Sequence, residues 1–366
     1  MMNVKFLELG RLNARYMDEF SSVASDVFRS GTYIGGEYVT GFEAAFASFC
    51  GSNHCVSLAN GLDALIIALR ALNVGRGDEV IVPGQTFVAT WLAVSAVGAT
   101  PVPVDVELGS ANIDVSLIEA AITPHTKAII PVHLYGEMAS MREIIDIAQR
   151  HSLYVVEDSA QAHGAKYQEM TAGSVGHIGC FSFYPSKNLG ALGDAGAIIT
   201  NDESLAERVR LLANYGSVEK YIHRETGMNS RMDPIQAAFL TLKLKNIETI
   251  IAQRKAIAER YTSALASKKP DTIRRLLVSE GDCVWHNFVV CVNERDRFVR
   301  HMSDLGVGTA LHYPIIPSKQ ECYLGTYGNS DLPTSDYFAK HGVSLPIGEY
   351  LSHEEVEYVA AAIDQF

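Results

Sequence analysis

Between residues 54 and 201 the chain repeats one alternation, a short apolar run followed by a stretch of helical periodicity. The apolar runs are "CVSLAN", "EVIVP", "TPVPVDV", "KAIIPVHLYG", "LYVVEDSA", "CFSFYP" and "GAIITN". Most are near-continuous and rich in Val and Ile, which predicts strands covered on both faces. The intervening "GLDALIIALRALNVG" sets Leu62, Leu65, Ile66 and Leu69 at i, i+3, i+4 and i+7, one face of a helix, with Gly75 as its stop. Strand and helix in alternation predict an α/β domain built on a largely parallel sheet.

A long helix is predicted from "DPIQAAFL", with Asp233 as N-cap and Pro234 at the first helical position. Its apolar positions run through Phe239, Leu242 and Ile247 towards Tyr261. Beyond it the texture changes. A strand pattern in "CVWHNFVVCV" and helical patterns in "RDRFVRHMSDLG" and "SHEEVEYVAAAIDQF" predict a smaller α+β domain. The expected division is a large α/β domain over 1–245, then a connecting helix and small C-terminal domain over 246–366.

Composition narrows the function. With 366 residues, 48% of them hydrophobic, the chain can bury a large core. A formal net charge of −12 argues against nucleic acid or an anionic membrane as partner, and leaves room for a small anion held locally. No apolar run approaches the roughly 20 residues that a membrane span needs. The opening "MMNVKFLELGRLNARY" lacks the basic-then-apolar order of a secretory signal, so a cytoplasmic location is expected. The six cysteines form no C-x-x-C pair and read as small buried hydrophobes in a reducing compartment. There is no G-x-x-x-x-G-K-[ST], H-E-x-x-H or G-x-S-x-G, which sets aside phosphate cleavage, zinc peptidase chemistry and simple hydrolysis; no metal site is expected.

Four features carry candidate chemistry. "LANGLDAL" puts Asn60 and Gly61 where a strand becomes a helix, and the unpaired N–H groups of a helix start suit a phosphate; an ordinary strand-to-helix turn uses the same residues. "YVVEDSAQAHGA" ends a strand with Glu157 and Asp158, at the sheet edge where ligands bind in such folds. A carboxylate there can hold a protonated ring nitrogen or merely cap the next turn, and Gln161 can reach the same ligand or stay at the surface. Lys187, in "FSFYPSKNLGALGDAG", lies between an aromatic run and Gly190, Gly193 and Gly196. A desolvated lysine has a lowered pKa and attacks carbonyls; a solvated loop lysine does neither. Ser182 is a candidate phosphate contact. Phe87, after the strand "EVIVP", can stack on a flat ring or join the core. Jointly the four demand a flat, phosphorylated aldehyde with a basic nitrogen, namely pyridoxal phosphate (PLP).

At these residues the chain resembles the PLP-dependent sugar aminotransferases of the DegT/DnrJ/EryC1/StrS group. The motifs run from "GTYIGGEYVTGFEAAFASFCG" through "NGLDAL", "GDEVIVPGQTFVATWLA", "PVHLYG" and "EDSAQAHGA" to "SFYPSKNLGALGDAGAI", "GMNSRMDPIQAA" and "LHYPIIPSKQ". The resemblance implies the fold type I aminotransferase architecture. It also implies that Lys187 bonds the cofactor aldehyde and shuttles the proton, while Asp158 pairs with the pyridine nitrogen. Gln161 is placed near the phenolic oxygen and Phe87 on the ring face. Gly61, Leu62 and Ser182 are placed on the phosphate, with Asn229 reaching it from the partner in an obligate homodimer. Relatives that act as sugar 3-dehydratases carry histidine in place of the lysine, so Lys187 implies transamination, with L-glutamate as donor. "TFVATWLAVSAVGA" and "NYGSVEKYIHRETGMNSRMD" resemble the subgroup aminating C3 of dTDP-linked 3-keto-6-deoxyhexoses for polysaccharides or natural products. A C4 aminotransferase, a dehydratase and a regulatory or binding protein of the same fold are the alternatives. Tyr184, Lys220, His312 and Tyr313 are the candidate contacts to sugar nucleotide or donor, or else packing and surface residues. "HYPIIPSKQ" departs from the commoner family form, which has Pro-Ile-His before the glutamine.

Overall fold

The computed structural model describes residues 2–266, 268–269, 272–275, 281–325 and 331–366. Every one of the seven apolar runs contains a strand of a single sheet. These are β1 (His54–Leu58), β2 (Glu79–Pro83), β3 (Thr100–Val104), β4 (Thr126–Ile129), β5 (Tyr154–Asp158), β6 (Ile178–Ser182) and β7 (Gly196–Thr200). Their order across the sheet is β1-β7-β6-β5-β4-β2-β3. From β3 to β6 all neighbours are parallel, and β7 alone runs antiparallel to both of its neighbours. The segment joining β6 to β7 therefore leaves and returns at one edge of the sheet, with Ser182 opposite Gly196. That segment carries Lys187, so the lysine is set at the carboxyl edge of the parallel strands.

Successive residues of a strand point to opposite faces, and both faces are covered, which is why the runs are continuously apolar. Val80 and Val82 pack with Leu65, Leu69, Trp91 and Leu212 on one face. Ile81 and Val155 meet Met141, Ile144 and Ile147 on the other. The Gly61–Ala71 helix ends earlier than its periodicity predicts. Leu72 closes it, and Asn73 rather than Gly75 takes the left-handed backbone that turns the chain.

The predicted long helix is two helices, Pro234–Leu244 and Ile247–Leu265, broken at Lys245–Asn246. Asp233 occupies the N-cap position without a side-chain capping bond. Each half serves a different body: Phe239 meets Phe20 of the Met17–Ser30 helix at 4.7 Å, whereas Tyr261 meets Phe288 at 5.4 Å. Phe288 opens the central strand of a three-stranded antiparallel sheet, β8 (Ile273–Arg275), β9 (Phe288–Val292) and β10 (Gly342–Leu345). Cys283 to Asn287, expected within that strand, lie outside it. The Arg295–Asp304 and His353–Gln365 helices pack on this sheet through Phe298, Met302, Val359 and Ile363. The N-terminal segment joins the same unit, where Val4 bridges Val307.

Five cysteines are buried as expected, and Cys322 is exposed. Among the described residues no helix is long and apolar enough to cross a membrane, and no cluster of His, Cys, Asp or Glu could hold a metal.

A buried ion pair braces the second unit internally, between the connecting helix and the loop after β10. Arg254 Nε lies 3.3 Å from Glu349 Oε2, both side chains almost wholly buried. Arg254 also donates to the carbonyls of Trp285, His286 and Ile347. Removing one member of such a pair leaves an uncompensated charge. Glu349→Ala is therefore expected to lower unfolding stability by about 3 kcal/mol, read as a reduced urea midpoint. An unchanged midpoint would show that the three carbonyls suffice for Arg254.

Candidate active site

The carboxyl edge of the sheet opens into a cleft of about 530 Å³ between the two units. Of the twelve residues that the family resemblance gives a catalytic, cofactor or substrate role, ten line it: Gly61, Leu62, Phe87, Asp158, Gln161, Ser182, Tyr184, Lys187, His312 and Tyr313. Lys220 and Asn229 do not. Lys220 sits on a projecting hairpin, its Nζ 5.2 Å from the ring of Tyr221, which is 83% exposed. Asn229 bridges Asn214 beside that hairpin.

One end of the cleft is a helix start, a geometry suited to an anion. Asn60 caps the Gly61–Ala71 helix by accepting from the Asp63 N–H at 2.8 Å. The amides of Gly61 and Leu62 in that first turn are left without a backbone partner among the described residues. A Cβ at Gly61 would stand 2.6 Å from Ser182 Cβ, so only glycine lets the helix start approach β6. The Ser182 hydroxyl accepts from the Tyr184 N–H at 3.3 Å and keeps its own proton for a ligand.

The other end is a buried carboxylate. Pleating sends Glu157 and Asp158 to opposite faces of β5. Glu157 turns away from the cleft, accepting from His133 Nε2 at 2.8 Å and from the amides of Gly173, Val175 and Gly176. It is a structural anchor. Asp158 faces the cleft, where burial pushes its carboxyl above the ordinary value, while bonds from Thr90 Oγ1 (2.9 Å) and the Ala160 N–H (3.3 Å) oppose the shift. Gln161 is held at both ends of its amide, accepting from the Tyr135 N–H at 2.7 Å and donating to the Tyr313 hydroxyl at 3.0 Å.

Lys187 stands between these ends. Burial brings its pKa down to about 8, with Asp158 pulling it back up. Its Nζ has no hydrogen-bond acceptor among the described residues. Phe87, 53% exposed, presents its ring to the cleft 5.4 Å from that of Tyr313. His312 is held by Ser344 Oγ at 2.8 Å from its Nδ1, and burial lowers its pKa to about 4, so it works as a neutral ring. The Tyr135 hydroxyl donates to the His312 carbonyl and so braces the loop of His312 and Tyr313.

Several lining or supporting residues escaped the sequence reading. Thr90 was present in "FVATW" but invisible as the partner of Asp158, 68 positions away. His286 lines the cleft. Its Nδ1 lies 3.3 Å from Asn188 Oδ1, whose amide nitrogen donates to the Val284 carbonyl, so Nδ1 carries the ring proton. His163 is buried against Phe181 and Phe183, and burial lowers its pKa to about 3, with the Ser182 backbone opposing the shift.

A sequence profile described as the DegT/DnrJ/EryC1/StrS aminotransferase family matches residues 15–364. The chain belongs to this family. The match spans both the cleft and the C-terminal unit that closes it. Within the family, this aminotransferase is 46% identical over 363 residues to dTDP-3-amino-3,6-dideoxy-alpha-D-galactopyranose transaminase of Aneurinibacillus thermoaerophilus, covering 99% of each chain. The crystal structure of S. venezuelae DesV in complex with a ketimine intermediate superposes with a TM-score of 0.97 at 43% identity, over 100% of this chain and 98% of that one. NtdA of Bacillus subtilis, solved with bound cofactor PMP, gives a TM-score of 0.93 at 32% identity, over 100% of this chain and 85% of that one.

Proposed function

We propose that this aminotransferase uses PLP to move an amino group from L-glutamate to C3 of a dTDP-3-keto-6-deoxyhexose, giving a dTDP-3-amino-3,6-dideoxyhexose. The observation that carries the reading is the cleft itself. A desolvated primary amine and a buried carboxylate face one space, and that space ends in a glycine-only anion cradle. These groups fit the cofactor part by part: Gly61, Leu62 and Ser182 for its phosphate, Phe87 for its ring face, Asp158 for its ring nitrogen and Gln161 for its phenolic oxygen.

Bound there, PLP supplies the electron sink that makes a carbon next to nitrogen acidic. The protein supplies the rest. Lys187 Nζ, uncharged above about pH 8, is the group that would hold the cofactor through its aldehyde, with release of water, and that would move a proton between substrate and cofactor carbons. Asp158 keeps the ring nitrogen protonated by offering it a fixed negative charge. His312, Tyr313 and Tyr184 wall the side of the cleft where the sugar nucleotide or the donor enters.

The positions of Lys220 and Asn229 outside their own cleft support a homodimer in which each chain completes the other's site. Tyr33, Ile34 and Phe28, all more than half exposed, favour the same reading. A cytoplasmic enzyme supplying amino sugars for surface polysaccharide or natural products accords with a nucleotide-sugar substrate. The chain divides at 245/246 into cofactor-binding and covering units, with the first residues joined to the second.

The test is a product assay. Protein, PLP, L-glutamate and each C4 epimer of the dTDP-3-keto-6-deoxyhexose are incubated, and the nucleotide sugar is weighed by mass spectrometry. Conversion of a ketone to an amine is expected; loss of water without gain of nitrogen, or no change with either epimer, refutes the assignment. Because burial lowers the lysine's pKa, the reactive neutral amine appears at lower pH than for a free lysine. The rate at which apoprotein captures PLP is accordingly expected to rise with pH around a midpoint near 8. A midpoint at the ordinary lysine value would show that Lys187 is solvated.

A further inference from the structure

We propose that Thr90, backed by Thr86, is a positioning residue that holds the Asp158 carboxylate charged and aimed at the ring nitrogen of the cofactor. The inference rests on the PLP reading above and adds residues that reading does not use.

Both hydroxyls are buried, Thr86 at 2% and Thr90 at 0% exposure. Thr90 Oγ1 lies 2.9 Å from Asp158 Oδ2 and 2.9 Å from Thr86 Oγ1. A hydroxyl has one proton. A charged carboxylate only accepts, so the Thr90 proton goes to Asp158 and Thr86 must donate to Thr90. The relay therefore has one direction, Thr86 to Thr90 to Asp158. Among the described residues the other carboxylate oxygen receives only the Ala160 N–H, at 3.3 Å, a longer and weaker bond. Thr90 is thus the strongest donor that the described protein gives to Asp158, and it fixes Oδ2 of a carboxylate that lines the cleft.

The same relay shapes a second contact. Thr86 and Thr90 are four positions apart, with Phe87 between them, and the Thr90 N–H donates to the Phe87 carbonyl at 3.2 Å. The turn closed by the two hydroxyls is the turn that presents the Phe87 ring. Trp91, the next residue, pins this turn to the end of β2 through its indole N–H and the Pro83 carbonyl at 3.1 Å. One hydrogen-bond chain thereby couples the edge contact on the ring nitrogen to the stacking contact on the ring face.

The experiment compares wild type, Thr90→Val, Thr90→Ser and Thr86→Val as holoenzymes. PLP labelled with nitrogen-15 in the ring reports protonation by NMR, and titration of apoprotein gives the PLP dissociation constant. Valine matches threonine in shape and removes the donor. For Thr90→Val the ring-nitrogen resonance is expected to move toward the unprotonated position, with PLP binding weakened roughly ten-fold by loss of a bond to a charged group. Turnover number should fall with little change in KM for L-glutamate. Thr90→Ser should restore all three, and Thr86→Val should shift the resonance in the same direction by less. A wild-type resonance and affinity in Thr90→Val overturns the proposal, as does a serine variant as impaired as valine. If Thr90→Val does not fold, Thr86→Val decides by the same signal. Should wild type itself give no bound ring-nitrogen resonance, the cofactor assignment fails instead.

Discussion

Lys187→Ala is expected to reduce transamination by roughly ten-thousand-fold, the combined loss of a covalent nucleophile and a positioned acid–base group. No neighbour can substitute for it. The histidines whose electrostatics couple to Lys187, at 163, 286 and 312, are held neutral by burial, and His312 is committed to Ser344. The phosphate cradle, Phe87 and Asp158 remain in the variant, so PLP should still bind, without the visible band of the lysine-bound cofactor and without bleaching by L-glutamate. Absorbance spectra and single-turnover assays read both. Activity within ten-fold of wild type would end the mechanism, because among the described residues no other primary amine lines the cleft.

Asp158→Asn is the second large effect. The amide keeps the size of the carboxylate and can still accept from Thr90, but it carries no charge to favour a protonated ring nitrogen. Breaking a buried charge pair costs about 3–5 kcal/mol, which at 1.4 kcal/mol per decade corresponds to roughly a hundred- to several-thousand-fold. The loss should appear in the rate of the L-glutamate half reaction, followed by stopped flow, more than in its KM. Because burial works against the native carboxylate, the variant is expected to unfold no more easily than wild type. A half-reaction rate within three-fold of wild type would remove Asp158 from the chemistry.

Much of the site was legible because its parts are local. Asn60 and Gly61 declare a strand-to-helix turn in two residues, Asp158 ends an unmistakable buried strand, and Lys187 is conspicuous in an apolar, glycine-rich setting. The misreadings share one cause. Periodicity continues smoothly through Lys245 and Asn246, yet the chain breaks there because Phe239 and Tyr261 pack on different bodies. Gly75 was a plausible stop, but the helix closes at Leu72, and Asn73 makes the turn with a left-handed backbone.

The sequence alone determined the seven strands and which residues stand at their carboxyl ends, since each depends on hydrophobic runs and turn residues a few positions apart. The tertiary structure decided the rest. It set β7 antiparallel, turned Glu157 to the structural face and Asp158 to the cleft, and brought Thr90 to Asp158 and Tyr313 to Gln161 from distant parts of the chain. It also carried Lys220 and Asn229 away from their own cleft. Such pairings form through packing between distant segments, and no local pattern of residues records which segments will meet.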